Sequence, residues 1–599
     1  MWKNGISVPI YKKGDATNPD NYRGITLSSN LGKVFCQIIN NRLTNFLEAK
    51  NFFLDQQAGF RKGYRTTDQI SILKKIVDDM MKIKNGRLYG CFVDFQKAFD
   101  SVWHDALLLK LLKAGVRGRC YNIIRSMYSD STICTRTKDG FSLDIPVKKG
   151  VHQGNTLSPT LFNIFINDIN ENMPDTDSPY ISEEINRKLS CLLYADDVIL
   201  LSKTKVGLQK KLDYINEYCR QWGLKINTDK TKIVIFCHTV PKIQTIFKCG
   251  DDIIQTVDQY KYLGVVFSRN GNFNIAQEHL SKQGNKASFS LRKSFGKENI
   301  HVETTLRLFD SLVTPILMYG SEIWLPYTYM TKTRKASIEN FFETCLSRGF
   351  PHELVHVNFC RFLLGVHKRA MWLPVLAEVG RFPIGLKIIS QTIAYWIHIL
   401  NSRENSYLRQ IYNSMISQKI ENAPWIEFIH QLLHQLGFSH VWQNQFTFNV
   451  YKLKHAIQAH LQDKYIAFWT KQKSRDSSKL KFYNTVCKKY EVQPYLLQSK
   501  NMKHRYALSK LRTSTHTLKI ETGRHQGVPR ENRLCTVCDI IEDEFHFLDN
   551  CIKYNDARNK LLTDVLIKNP KWSFLKPSQL FIINELQDHL GRYVFECLK

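Results

Sequence analysis

The chain has 599 residues, 43% of them hydrophobic and 23% charged, enough to bury several cores and too apolar to be disordered throughout. Lys and Arg outnumber Asp and Glu 84 to 54, a net charge of +30, which favours a nucleic-acid backbone as partner over a merely solvated basic surface. Its 15 scattered cysteines are not a disulfide framework, no signal-peptide run opens the chain, and apolar runs such as Val198–Leu201 are far too short to cross a bilayer, so a reducing, intracellular setting without a membrane is expected.

In chain order, Asn18–Asn21 reads as a turn and Leu31–Asn51 as a helix. Leu88–Val93 is an apolar strand leading to a helix at Leu107–Leu112. Residues 141–150 read as a strand broken at Pro146, Gly150–Pro159 as a loop and Thr160–Asn172 as a helix. Leu189–Ser202 has the pattern of two short strands around Tyr194-Ala195-Asp196-Asp197, a hairpin with acids at its tip. Leu208–Trp222 is an amphipathic helix, and Ile233–Phe236 and Tyr262–Phe267 are strands. Beyond about residue 275 the periodicity is helical, which predicts at least two architectural units.

Asp94 ends a buried-looking strand, and Asp196 and Asp197 sit between two apolar strands. A carboxylate buried at such a place is costly unless a cation compensates it, either Lys or Arg or a metal. Mg²⁺ takes one or two carboxylates together with phosphate oxygens and water, so these three acids supply a fitting ligand set for two-metal phosphoryl chemistry. An Asp-Asp pair alone is more often a solvated turn; the four-residue string on a hairpin is what raises it above that.

The ordered motifs resemble those of LINE-type (non-LTR) retrotransposon reverse transcriptases. Val8-Pro9-Ile10-Tyr11-Lys12-Lys13-Gly14, Asn21-Tyr22-Arg23-Gly24-Ile25-Thr26-Leu27 and Gln56-Gln57-Ala58-Gly59-Phe60-Arg61 are similar to the fingers motifs. Asp94–Ser101 resembles motif A, Gly150–Pro159 motif B, Tyr194–Asp197 motif C, Trp222–Lys232 motif D and Tyr262–Val265 motif E. The resemblance implies an α+β right-hand polymerase followed by a mainly α-helical C-terminal region with a small zinc knuckle. Its expected divisions are fingers over 1–90, palm over 91–270, a helical thumb over 271–335, a helical basic region over 336–530, the knuckle over 531–555 and a helical tail over 556–599.

It also implies roles. Asp94, Asp196 and Asp197 would hold two Mg²⁺ (or Mn²⁺), Asp197 the least committed of the three. Lys12, or its neighbour Lys13, and Arg23 would clamp the incoming triphosphate. Phe99 would exclude ribonucleotides by crowding the sugar 2′ position, and Gln153 and Gly154 would line the nascent base pair. Lys230 would protonate the leaving pyrophosphate, Arg61 would touch the template backbone, and Asp100 would be a structural partner. The implied partners are an element RNA template, a DNA primer or target DNA, and dNTPs. The implied setting is a cytoplasmic ribonucleoprotein and then the nucleus, where target-primed reverse transcription would take place.

Near the C-terminus, Cys535-x2-Cys538-x7-His546-x4-Cys551 places four zinc-type ligands within 17 residues, loops short enough to close on one tetrahedral Zn²⁺. The preceding stretch Lys503–Arg533 holds eight basic residues and two acids, net 8 − 2 = +6. A similar knuckle is common in LINE proteins, and zinc knuckles bind single-stranded nucleic acid. No endonuclease or RNase H pattern is found, and the fingers extension expected before the first motif is missing. The leading reading is therefore an active RNA-directed DNA polymerase. The alternative is a non-catalytic nucleic-acid-binding remnant of a truncated element, and a group II intron type is disfavoured by the knuckle. Oligomeric state is not legible.

Overall fold

A computed structural model of the protein describes residues 4–182, 186–239, 245–295, 301–333, 337–347, 349–417, 423–445, 449–475, 478–499, 501–572 and 574–598. They form two compact units, one made of residues 1–275 with 401–423, the other of 276–400 with 424–599. Among the described residues no helix is long and apolar enough to cross a membrane.

The first unit opens with β1 (Asn4–Tyr11) and β2 (Tyr22–Leu27), followed by α1 (Asn30–Ala49) and α2 (Thr66–Lys82). β3 (Leu88–Val93) precedes α3 (His104–Lys113), α4 (Gly118–Tyr128), β4 (Thr132–Thr137) and two short strands, β5 (Gly140–Phe141) and β6 (Ile145–Pro146). Next come α5 (Ser158–Ile166), the ribbon β7 (Tyr180–Ser182) and β8 (Arg187–Lys188), the hairpin β9 (Cys191–Tyr194) and β10 (Asp197–Ser202), and α6 (Lys205–Trp222). β11 (Lys232–Phe236), β12 (Phe247–Cys249), β13 (Asp252–Thr256), β14 (Gln259–Tyr262) and β15 (Val265–Ser268) complete the strands.

Two sheets matter for the site. One has the order β2-β1-β4-β5, with β6 also on β4, and carries the N-terminal motifs. The other has the order β12-β13-β11-β3-β10-β9 and carries the three acids of the expected palm. Every residue of its central strand β3 is buried, as a strand covered on both faces requires. Helix packing explains the coverage: α1 buries Cys36, Ile39, Leu43 and Leu47, spaced along one helical face. α6 starts where Thr204 caps Gly207 N at 2.9 Å and stops at Gly223, whose φ of +71° ends the helix at low cost.

Three expectations change. α2 was not anticipated, because Lys74 and Lys75 interrupt its apolar stripe; both are buried and ion-paired with Asp78 and Asp79 one turn on. The strand expected over 141–150 is only the short β5 and β6, both pairing with the unforeseen β4. The strand expected over Tyr262–Phe267 is instead a hairpin, whose two-residue turn Leu263-Gly264 has φ of +44° and +87°.

The second unit is helical. Its best-paired buried charge is Glu378, which is fully buried and receives Arg512 Nε at 2.7 Å, Arg512 Nη2 at 2.9 Å and the Tyr495 hydroxyl at 2.7 Å. Arg512 also donates to Gln493 Oε1 at 2.7 Å, so both charges are compensated within the core.

Candidate active site and metal centre

The palm acids meet on one edge of the second sheet. β10 runs antiparallel to β3 with Val198 opposite Val93, and continuing that register by one residue brings Asp197 alongside Asp94. Asp196 sits in the turn between β9 and β10. The segment after α6 closes the other side: Gln96 N donates to Lys225 O at 2.8 Å, Phe95 bridges Ile226, and Asn227 N donates to Asp94 O at 2.7 Å. Asp94 N in turn donates to Thr231 Oγ1 at 3.2 Å. Three hydrogen bonds thus fix the strand end that carries the first acid.

The acids are poorly compensated. Asp94 Oδ2 is buried and accepts no hydrogen bond; Lys230 Nζ lies 3.4 Å away without the alignment of one, and both side chains are partly open to water, so this pair is weak. Burial and the Asp94 carboxylate push Asp196 above its ordinary value, partly offset by Arg23. Burial of the carboxyl, then Asp196 and Asp94, push Asp197 up to about 6. Asp197 as a residue remains exposed, so water screens part of that repulsion. Three carboxyls that repel one another, with one oxygen left without a donor, make the donor set that a divalent cation would satisfy. Their oxygens do not close into a tight cage; among the described residues only the C-terminal Cys/His group does. That openness suits Mg²⁺, which keeps positions for water and phosphate.

Two basic motif residues, Lys230 and Arg23, stand beside the acids. Arg23, on β2 opposite Ile10, is close enough to act on Asp196. Lys12 follows β1, where its N–H donates to Asn21 O at 2.9 Å, and its side chain is exposed. Phe99 stacks on Phe162 with centroids 4.7 Å apart and meets Phe60 edge-on at 6.4 Å, so its ring is braced in one orientation. Gln153 Nε2 donates to Asp100 Oδ1 at 2.8 Å, and its carbonyl accepts from Thr26 N at 2.7 Å. Gly154, at φ +111°, lies so close to β2 that a Cβ would stand 2.8 Å from Thr26 O. The loop expected to line the nascent base pair is therefore pinned to the N-terminal sheet. Asp100 is thus tied to Gln153. Arg61 is not a template contact: it is buried, bidentate to Glu48 at 2.8 and 2.9 Å, and donates to Leu54 O and Gln57 O. The sequence reading gave no role to Thr231 or Gln57, whose partners lie more than a hundred residues away.

The second centre is local. Cys535, Cys538, His546 and Cys551 present ligand atoms all within 4.8 Å of one another. The Sγ of Cys551 is 3.7 Å from that of Cys535 and 3.9 Å from that of Cys538. A tetrahedron of 2.3 Å zinc–sulfur bonds has edges of about 3.8 Å, so the spacing fits Zn²⁺. His546 Nε2 is buried without a partner, the state expected of a ligand nitrogen. Cys535 N bonds to Ile540 O at 2.8 Å and Cys551 N to His546 O at 2.8 Å, folding the two ligand pairs toward each other. The buried Arg558 ties the cluster to the following helix through Cys551 O at 2.7 Å and Leu548 O at 2.8 Å.

The basic stretch before it is less available than its charge suggested. Arg505 and Arg512 are buried, Arg524 pairs with Glu521 at 2.7 Å, and Arg533 donates to Val528 O and Ile520 O. Lys503, Lys510, Lys519 and Arg530 remain exposed. A further string, His352-Glu353-Leu354-Val355-His356, has the spacing of a zinc-protease helix. Here all three polar residues are core: Glu353 accepts Gly385 N at 2.6 Å and is pushed up to about 7 by burial, while Arg381 Nε lies 3.3 Å from His356 Nε2. A guanidinium at the ligating nitrogen opposes a metal cation.

Residues 10–267 match the reverse transcriptase (RNA-dependent DNA polymerase) family. The chain is 28% identical over 333 residues to a probable RNA-directed DNA polymerase from transposon BS of Drosophila melanogaster, covering 54% of this chain and 36% of that protein. It is 29% identical over 338 residues to the RNA-directed DNA polymerase from mobile element jockey of the same species, covering 54% and 35%. It is 27% identical over 331 residues to a Pol polyprotein from type-1 retrotransposable element R2 of Popillia japonica, covering 53% and 44%. The chain thus spans less than half the length of these relatives. Motifs, palm sheet and relatives agree: residues 10–267 are a reverse transcriptase domain of the kind carried by non-LTR retrotransposons.

Proposed function

We propose that this chain is an RNA-directed DNA polymerase that copies element RNA onto a DNA primer, in the manner of target-primed reverse transcription. The observation that carries this reading is the convergence of Asp94, Asp196 and Asp197 on one sheet edge without a matching cation. Asp94 and Asp196, with Asp197 beside them, would hold two Mg²⁺ or Mn²⁺. Bound there, the metals would supply the positive charge that nucleotidyl transfer needs at the primer 3′-oxygen and at the pyrophosphate.

The chain's own groups do the rest. Arg23, already in the field of Asp196, meets the triphosphate with charge-assisted hydrogen bonds, and the exposed Lys12 adds to them. Phe99, held by Phe162 and Phe60, offers a flat wall against a 2′-hydroxyl. Gln153 and Gly154 shape the floor beneath the new base pair. Lys230, 3.4 Å from Asp94, is positioned to hand a proton to the departing pyrophosphate. At the other centre, Cys535, Cys538, His546 and Cys551 would hold one Zn²⁺, which closes the knuckle and presents the exposed Lys519 and Arg530 to nucleic acid. Work on target DNA puts the chain in the nucleus, after a cytoplasmic ribonucleoprotein stage.

The test is primer extension on oligo(dT)–poly(A) with Mg²⁺ and dNTPs, comparing the chain with an Asp196→Ala/Asp197→Ala form. Extension that disappears in the mutant supports the reading. A folded wild-type chain that binds nucleic acid and extends nothing would favour the non-catalytic binding protein.

A further inference from the structure

The acid-bearing turn is gripped from behind by the segment Gln56–Gly59. Leu193 N donates to Gln56 O at 2.9 Å and Ala58 N to Leu193 O at 3.0 Å, so the segment runs parallel to β9. The Gln57 side chain then reaches the turn itself. Its Oε1 accepts from Gly59 N at 2.8 Å and from Ala195 N at 3.0 Å. Ala195 stands between Tyr194 and Asp196 at φ +56°, a left-handed conformation that any residue with a Cβ avoids unless it is held there.

Two observations say that this grip matters for more than folding. Gln57 is completely buried, and its Nε2 has no partner. A buried donor left unpaired costs stability, so the amide is not there for its nitrogen. What the amide alone supplies is the acceptor oxygen under Ala195. Gly59 also lies so close that a Cβ there would stand 2.2 Å from Ala195 N, backbone against backbone, and its carbonyl is held by Asn163 Nδ2 at 2.6 Å.

A second layer stands behind the first. Gln56 Nε2 donates to the Tyr407 hydroxyl at 2.7 Å. Tyr407 is buried, lies under Arg187 at 4.0 Å, and belongs to the helix Tyr407–Ser417 of the returning segment 401–423. Arg187 fastens that segment by donating to Asn405 O at 2.7 Å and Gln410 Oε1 at 2.9 Å.

We infer that Gln57 is a positioning residue for the Asp196–Asp197 turn, with Tyr407 as its outer brace. Three mutually repelling carboxyls push the turn open; the Gln57 acceptor holds Ala195, and Ala195 sets where Asp196 points. This inference rests on the polymerase reading.

The test uses the whole chain with Gln57→Met, Gln57→Glu and Tyr407→Phe. Single-turnover extension separates the maximal rate from dNTP affinity, and Mn²⁺ titration followed by electron paramagnetic resonance, with primer–template bound, reads the acids without turnover. Gln57→Met should lower the maximal rate about tenfold or more and weaken Mn²⁺ binding several-fold, as a displaced reacting group does, with primer–template affinity unchanged; because two buried N–H groups lose their acceptor the melting temperature also falls, so rate and Mn²⁺ affinity are read where the variant is still fully folded. Gln57→Glu keeps an acceptor oxygen and should recover most of both, and Tyr407→Phe should show a smaller loss in the same direction. Wild-type rate and Mn²⁺ binding in Gln57→Met overturn the inference. So does an equal loss in the Met and Glu forms that tracks a lower melting temperature, which would mark a purely structural residue. If the wild-type chain binds Mn²⁺ but extends no primer, the polymerase reading fails and the Mn²⁺ titration still decides the brace.

Discussion

The palm acids and the C-terminal Cys/His cluster are both metal-type sites built on opposite plans. The palm draws its three carboxyls from positions a hundred residues apart, and the sheet brings them together before any cation is present. The cluster draws four ligands from 17 consecutive residues, folded together by local backbone bonds and tied to the following helix by Arg558. The palm is open and repulsive, so a cation there serves chemistry more than folding. The cluster offers a complete tetrahedral shell, so a cation there serves folding more than chemistry.

The largest expected effect comes from breaking the palm. Asp196→Ala should cost about 10³-fold or more in extension rate, since metal-borne charge stabilisation is worth several kcal/mol. Melting temperature should hold or rise, because a repelling charge has gone; a clear fall would mean that the acids are structural. Glu378 is the control, an acid with every partner in place. Arg512→Ala should destabilise the second unit by about 3–5 kcal/mol in denaturant unfolding, and a neutral result would undo its description as a core pair.

Next comes the cluster. Cys551→Ala should abolish bound zinc, about one per chain by elemental analysis in the wild type, and expose residues 535–558 to hydrogen exchange. Extension of a short primer should change little, and loss as deep as that of Asp196→Ala would mean that the two centres are not separable. Phe99→Val should raise ribonucleotide incorporation by about 10–100-fold, the scale on which a few methylenes discriminate; unchanged exclusion would leave Phe99 a packing residue between Phe162 and Phe60.

The smallest effect is a slope. Asp197 is raised to about 6 in the folded chain against 3.8 for the free group. Between those values the folded state holds a proton that the unfolded state has lost, so metal-free stability falls as pH rises from about 4 to about 6. Asp197→Asn should flatten that segment of the stability profile, and added Mg²⁺ should oppose the fall in the wild type. An identical profile in the mutant would place the raised group elsewhere.

Much of this was legible in the sequence because it is local. The hairpin around Tyr194–Asp197, the helix Lys205–Trp222 and the Cys/His spacing are set by residues within a turn or two of one another. What was hidden depends on distant partners. Lys74 and Lys75 disguise α2 because their counter-ions show only once a helix is assumed. Arg505 and Arg512 counted toward an available basic stretch, and Arg61 toward a template contact, because charge is visible in a sequence and burial is not. Gln57 gave no sign of its role because its partner Ala195 is 138 residues on.

The return of residues 401–423 to the first unit sets a timetable for biogenesis. A ribosome delivers residues 1–275 first, yet Tyr407, Leu408, Ile411 and Tyr412, which bury themselves in the helix that packs on α2 and β7, arrive only after 276–400 have been made. Until then the half-made first unit carries bare apolar surface and lacks Tyr407 behind Gln56, so it needs shielding while translation continues. The first unit therefore assembles out of sequence order, and the Tyr194–Asp197 turn gains its outer support only after residues 276–400 have been translated.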